Sequence, residues 1–182
     1  KIFATGGIGG VHKFAEKTFD ISADLQELAK TGISVVCAGP KAILDIPKTL
    51  EVLETLGVPV ITFGQTNLPA FWSSDSPFIS PLSLDKPSLI AKSHELRKKL
   101  GLSGGQLVAN PISKKDQIPF ETIEPIIMEA VKSANEQNII AKEVTPFVLS
   151  QINQLTKGKA LLANIALIKN NAKLASKIAL CF

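Results

Sequence analysis

Four glycines, a histidine and two aspartates crowd into the stretch FATGGIGGVHKFAEKTFDISADL, Phe3 to Leu25. Thr5, Gly6, Gly7, Gly9 and Gly10 follow a short apolar run, so backbone amides freed by glycine can turn toward an anion while the Thr5 hydroxyl adds a donor. That describes a phosphate or carboxylate cradle; a turn needed only for chain reversal would use the same residues. A dinucleotide fingerprint fits poorly. Counted from Gly7, the GxGxxG pattern puts His12 where its third glycine belongs, and the run ending at Cys37 offers no acid for a ribose. Ser22 reads as a helix N-cap, which makes Asp24 a first-turn acid favoured by the helix dipole. Asp20 precedes the cap, where a carboxylate can point away from the helix toward a hard cation held mainly by water, the habit of Mg²⁺ or Mn²⁺. His12, just past the glycines, is either a loop histidine or an acid/base group.

Lys41 is the sharpest single residue. It follows an apolar run and Gly39-Pro40, and proline suits the first turn of a helix, so Lys41 is expected at a helix N-terminus inside a crevice. There the positive end of the dipole and desolvation both disfavour the ammonium, leaving free amine to attack a carbonyl and form a Schiff base. The alternative is an exposed lysine that snorkels away from the helix start. Asn164 and Asn171 lie seven residues apart on one face of a helix otherwise rich in Leu, Ile and Ala. A buried asparagine there either caps a neighbouring loop or reads a ligand.

These residues need a frame. Short runs bounded by glycine or proline read as strands at Ile2 to Ala4, Ile33 to Cys37, Val58 to Phe63 and Gln106 to Ala109. Helical patterns lie between and after them, at Ser22 to Lys30, Pro47 to Leu56, Ser88 to Leu100 and Phe120 to Gln137. The alternation predicts an α/β fold, a largely parallel sheet with helices on both faces. Two further helices, Thr145 to Thr156 and Lys159 to Leu180, form a helical C-terminal closure, the first with Thr145 as N-cap and Pro146 at the first helical position. With no repeat and no low-complexity linker, residues 1–182 read as a single α/β domain. In such sheets ligands sit beyond the carboxyl ends of the strands, which selects Thr5-Gly6-Gly7, Ala38 to Lys41, Gly64 to Thr66 and Asn110-Pro111.

Composition removes other classes. The net charge of +4 is spread along the chain, and tyrosine is absent, which leaves little stacking material for nucleic acid. Cys37 and Cys181 make neither a disulfide framework nor a CxxC pair, so a reducing, cytoplasmic compartment is expected. No apolar run is long enough for a membrane span.

The stretches FATGGIGGVHKFAEKTFDISADLQELA, VVCAGPKAILDIPKTLEVLETLGVPV, LPAF, LVANPI, KEVTPFVL and ANIALIKNNAKLA together resemble the pseudouridine-5′-phosphate glycosidase family, colinearly over essentially the whole chain. The resemblance implies a manganese-dependent homotrimer, with Mn²⁺ or another divalent cation such as Mg²⁺. It also implies reversible cleavage of the carbon–carbon bond joining uracil to ribose 5-phosphate in pseudouridine 5′-phosphate. By position it makes Lys41 the Schiff-base lysine and Asp20 the metal-holding acid, with Ser22 and Asp24 beside the substrate. Thr5, Gly6 and Gly7 would line the pocket, and Asn164 would reach it from the C-terminal helices. A lysine nitrogen on the sugar's C1 would release the uracil carbon as the Schiff base forms, a route to a bond that two carboxylates flanking an acetal would not break.

The sequence also departs from the family. Pro40 and Ala42 flank Lys41 where the family often has Ala or Val and Ser, and Ala141 replaces a usual glycine before Lys142-Glu143. The family has an upstream segment carrying a catalytic glutamate and a phosphate-contacting lysine, and neither is among these residues. Because the chain opens on Lys1 and its one methionine is Met128, the expectation is the C-terminal portion of a longer glycosidase domain. Residues 1–182 alone are then expected to be nearly inactive and to associate through uncovered apolar surface. The competing reading is a non-catalytic sugar-phosphate-binding module or an inactive structural fragment.

Overall fold

The computed structural model describes residues 1–137, 139 and 143–182, so the Ala141 and Lys142 departures lie outside the described residues. In chain order the elements are β1 (Ile2–Ala4), α1 (Ala15–Thr18), α2 (Ala23–Lys30), β2 (Ser34–Cys37), α3 (Ile46–Thr55), β3 (Val60–Phe63) and β4 (Leu82–Leu84). Then come α4 (Pro87–Lys99), β5 (Gln106–Ala109), α5 (Phe120–Glu136), α6 (Val144–Leu155) and α7 (Lys159–Ala179). The five strands form one sheet in the order β1-β2-β5-β3-β4, with every pair parallel. β5 enters between β2 and β3 although it is last in the chain, which places the segments after β1, β2 and β5 side by side at one end.

Central β2 and β5 are buried at every residue, as uncharged strands covered on both faces must be. Alternation then sorts their side chains into two layers. Val35, Cys37, Leu107 and Ala109 pack with Leu25 and Leu28 of α2 and Leu53 of α3. Val36 and Val108 meet Ile90 and Ala91 of α4 and Leu174, Ala175 and Ile178 of α7. A third cluster closes the carboxyl end: Ile123, Ile127, Val148, Ile152 and Leu167 gather around Phe71, Trp72 and Ala42 to Leu44. The parallel sheet, the helices on both faces and the helical closure agree with the reading from periodicity.

Three local features differ from that reading. β4 lies between Pro81 and Pro87 and has two exposed residues, so nothing in its pattern marks a strand; its backbone pairing with β3 at the sheet edge makes it one. α1 is a four-residue turn between Phe14 and Phe19, both held at positive φ (66° and 54°), a conformation no sequence rule assigns to phenylalanine. α6 begins at Val144, with Glu143 at the cap position, and Thr145 and Pro146 lie in its first turn. First-turn amides have no intrahelical acceptor, so Pro146 is tolerated there as well as at the first position.

One buried polar contact joins α7 to the strand ends. Asn171 is fully buried; its Nδ2 donates to the carbonyls of Thr5 (2.8 Å) and Gly6 (3.1 Å), while its Oδ1 accepts from Asn110 Nδ2 at 3.0 Å. Replacement by leucine keeps the volume but strands the Thr5 carbonyl and the Asn110 amide. Asn171→Leu in the full-length protein should cost about 2–4 kcal/mol in denaturant unfolding. Asn164→Leu, at a half-buried position, should cost about 1 kcal/mol. Equal losses at the two positions would contradict the assignment of Asn171 as the tie.

Candidate functional site

The glycine loop after β1 and the segment after β2 run together as a continuation of the sheet. Thr5 N donates to Val36 O (2.9 Å), Ala38 N to Gly6 O (2.7 Å), Ile8 N to Gly39 O (3.2 Å), Lys41 N to Ile8 O (3.0 Å) and Asp45 N to Val11 O (2.9 Å). Pro40 pairs with Ile8 in a parallel bridge at a position whose own N–H the ladder does not use, so proline costs no hydrogen bond there. Gly39, at φ +87°, is pressed so close to the Pro69 carbonyl that any Cβ would collide with it. Gly7 is held equally close to Phe71, whose ring would lie 2.6 Å from a Cβ. With the Thr5 and Gly6 carbonyls directed into the protein, the amides of Gly6 and Gly7 have no protein acceptor among the described residues.

Lys41 follows this ladder and is not at a helix start. A turn closed by Leu44 N donating to Lys41 O (3.0 Å) comes next, and α3 begins only at Ile46, capped by the Asp45 side chain accepting from Lys48 N at 3.1 Å. The helix-dipole expectation for Lys41 is therefore overturned: a proline in the first helical turn does mark α3, but it is Pro47. What fixes the Lys41 backbone is its hydrogen bond to the glycine loop. Ala42 is buried in the cluster with Ile43 and Leu44, where a serine hydroxyl would need a partner.

The loop from Val11 to Ile21 brings His12 and Asp20 together. Its base is closed by the Val11–Ile21 bridge, by His12 N donating to Asp20 O (3.0 Å) and by Ser22 N donating to Gly10 O (2.9 Å). His12 Nδ1 then lies 3.7 Å from Asp20 Oδ2, on the wall of a cavity of ≈ 540 Å³. Burial pulls the His12 imidazole below its usual range; the Asp20 carboxylate opposes that shift and the Lys41 ammonium reinforces it. His12, Asp20 and Lys41 thus form one electrostatic group.

Ser22 and Asp24 occupy the positions expected of them at the start of α2, with Ser22 Oγ accepting from Asp24 N at 3.2 Å. The Asp24 carboxylate also accepts from Gly9 N at 2.7 Å, so it steers the glycine loop directly. Thr5, Gly7 and Asp24 line a second cavity, of ≈ 280 Å³. Asn164 is turned to Trp72, whose Nε1 donates to its Oδ1 at 2.7 Å. The loop-binding asparagine is Asn171, one of the two alternatives that the seven-residue spacing left open. LPAFWSSD carries no periodicity, so pattern alone gives Phe71 and Trp72 no place beside the loop. Cys37 sits at the end of β2, but burial pushes its thiol up to about 12, which removes a thiolate from consideration.

No group of three or more His, Cys, Asp or Glu side chains is placed to hold an ion among the described residues. Asp20, one-third exposed and pre-cap, fits a hard cation bound through one carboxylate with water completing its shell, and does not fit a cage metal such as structural zinc.

Residues 1–181 match the family described as Indigoidine synthase A like protein. The pseudouridine-5′-phosphate glycosidase of Paracoccus denitrificans is 61% identical over 179 residues, covering 98% of this chain and 59% of that protein. That of Geobacillus kaustophilus is 55% identical over 179 residues, covering 98% of this chain and 60% of that protein. The chain therefore spans about three-fifths of the length of these relatives. Among solved structures, the prealnumycin C-glycosynthase AlnA in complex with ribulose 5-phosphate superimposes with a TM-score of 0.91 at 31% identity, over 98% of this chain and 59% of that one. An indigoidine synthase A-like protein from Thermotoga maritima gives 0.87 at 35% identity, over 97% of this chain and 57% of that one. The fold is thus shared with solved relatives over nearly the whole chain, and the chain belongs to the indigoidine synthase A-like family.

Proposed function

We propose that the protein carrying these residues is a pseudouridine-5′-phosphate glycosidase, reversibly converting pseudouridine 5′-phosphate and water to uracil and ribose 5-phosphate. The observation that carries the reading is the ladder that fixes the Lys41 backbone against the glycine loop, in a chain 61% identical to a glycosidase of that name. Lys41 Nζ bonds to C1 of the ribose as the ring oxygen leaves with a proton. The nitrogen lone pair then forms C=N while the C1–C5 bond breaks, and its electron pair stays with the uracil carbon, which takes a proton. Water hydrolyses the imine, releasing ribose 5-phosphate and restoring the amine.

The chain's other residues prepare that step. Free amides at Gly6 and Gly7 and the Thr5 hydroxyl offer donors to the sugar phosphate. Ser22 and Asp24 border the same loop, and Asn164, which accepts from Trp72 Nε1, would reach the substrate from α7 as the resemblance implies. His12, kept neutral by burial, is able to hold or release a proton at a ring nitrogen facing Asp20. Asp20 would hold the Mn²⁺, or another divalent cation such as Mg²⁺; such an ion, when bound, supplies electrostatic stabilisation of developing negative charge. A homotrimer is part of the same proposal. So is slow turnover by residues 1–182 alone, since the glutamate and the phosphate-contacting lysine implied by the resemblance are not among them.

Lys41→Met in the full-length protein should lower uracil release by about 10³-fold or more with the melting temperature unchanged, because the side chain is only half-buried. A variant retaining a tenth of the parent rate would remove Lys41 from the nucleophile role. Asp20→Asn should raise the Mn²⁺ concentration needed for half-maximal activity by about 10-fold while leaving denaturant unfolding of the metal-free protein nearly unchanged. An unaltered metal titration would take the ion away from Asp20.

A further inference from the structure

At the opposite end of the sheet from Lys41, where Gly32 and Gly105 lead into β2 and β5, there is a cavity of ≈ 420 Å³. Lys30, ending α2, and Arg97 and Lys98, in the last turn of α4, share its wall. Lys1 borders it too, but its ammonium is paired with Glu95 at 2.9 Å. No aspartate or glutamate lies among the lining residues; the nearby Glu95 carboxylate, paired with Lys1, also acts on Lys98, which leaves Lys30 and Arg97 as the cations with no acid beside them in the lining.

Cations at a helix C-terminus ordinarily answer the dipole. Here α4's last carbonyls are already taken: Leu100 N donates to Leu96 O, Gly101 N to Lys98 O and Leu102 N to Arg97 O, at 3.0, 3.1 and 3.0 Å. Arg97 Nη2 donates to Ser103 O at 3.2 Å, which clamps the guanidinium against the Gly101–Gly105 loop.

The loop itself presents donors. Gly101 and Gly104 take φ values of +70° and +81°, and a Cβ on Gly104 or Gly105 would collide with the Ala29 or Ile33 carbonyl, so the loop is pressed onto the end of α2 and fixed there. The amides of Ser103 and Gly104 have no protein acceptor among the described residues. Successive amides around a left-handed residue form an anion-binding nest. His94 adds to the wall: its Nδ1 and Ser34 Oγ share a hydrogen bond at 3.0 Å, Ser34 Oγ also accepts from Gln106 Nε2 at 3.1 Å, and burial pulls the imidazole below its usual range.

From the clustered cations and the open loop amides, we infer that this amino-end cavity is a second anion site, built for the phosphoryl group of a phosphate-bearing small molecule. It is separate from the carboxyl-end crevice and does not rest on the glycosidase reading.

Isothermal titration of the full-length protein with inorganic phosphate, at constant ionic strength held by chloride, tests the site. Lys30 and Lys98 are exposed, so Lys30→Gln/Lys98→Gln leaves the fold intact; it should weaken phosphate binding by roughly five-fold or more. Arg97→Gln, checked by thermal melting, should do the same, whereas Lys41→Met should leave this binding in place. Phosphate binding unchanged in the double lysine variant, or abolished by Lys41→Met, would overturn the inference.

Discussion

The architecture of the crevice depends on where the Thr5 and Gly6 carbonyls point. A buried asparagine on α7 accepts no compromise in this: Asn171 has one NH₂ group and spends it on both carbonyls, while its oxygen is occupied by Asn110 from the end of β5. Three elements distant in sequence are locked by one side chain at a place where water is excluded, so each bond is worth more than on the surface. Once those carbonyls are committed inward, the amides of Gly6 and Gly7 are left open. The loop has a polarity before any ligand arrives.

The second constraint is the ladder that extends the β1–β2 pairing past both strands. It passes Pro40 without loss, because the two hydrogen bonds around it use Gly39 O and Lys41 N, and it makes the position of Lys41 a property of the sheet. Glycine is needed at position 39, where the Pro69 carbonyl leaves no room for a Cβ, and at position 7, where Phe71 lies against the loop. His12 and Asp20 reach the same neighbourhood through a separate device, a loop closed at its base by backbone bonds and bent through two phenylalanines at positive φ. Left-handed backbone costs about 1–2 kcal/mol per non-glycine residue, and the tertiary contacts offset it.

Sequence alone was enough for the central strands, because SVVC and QLVA are short, uncharged and bounded by breakers, and for α2, because Ser22 followed by Asp24 is a cap signal with a mechanism. It was not enough for β4, whose strand character is only backbone pairing at an edge. The Gly39-Pro40 pair was misread as a helix start: proline's fixed φ suits a helix's first turn and an extended ladder edge alike, and only the partner strand decides between them. Asn164 and Asn171 have the same spacing and surroundings in sequence. Which of them meets the loop depends on the packing of α7, which leaves the one half-buried and the other fully enclosed. Similarity supplied the roles assigned to individual site residues; periodicity could supply only the surfaces they lie on.

The central claim is that this frame holds Lys41 for covalent chemistry on a sugar phosphate. Reductive trapping is the most direct measurement: the full-length protein is incubated with ribose 5-phosphate and borohydride, digested, and the adduct located by peptide mass spectrometry. The account predicts one stable adduct on Lys41, formed far faster than on any other lysine of the chain. An adduct mapping reproducibly to a different lysine, or none above the level seen with the heat-unfolded protein, would contradict it.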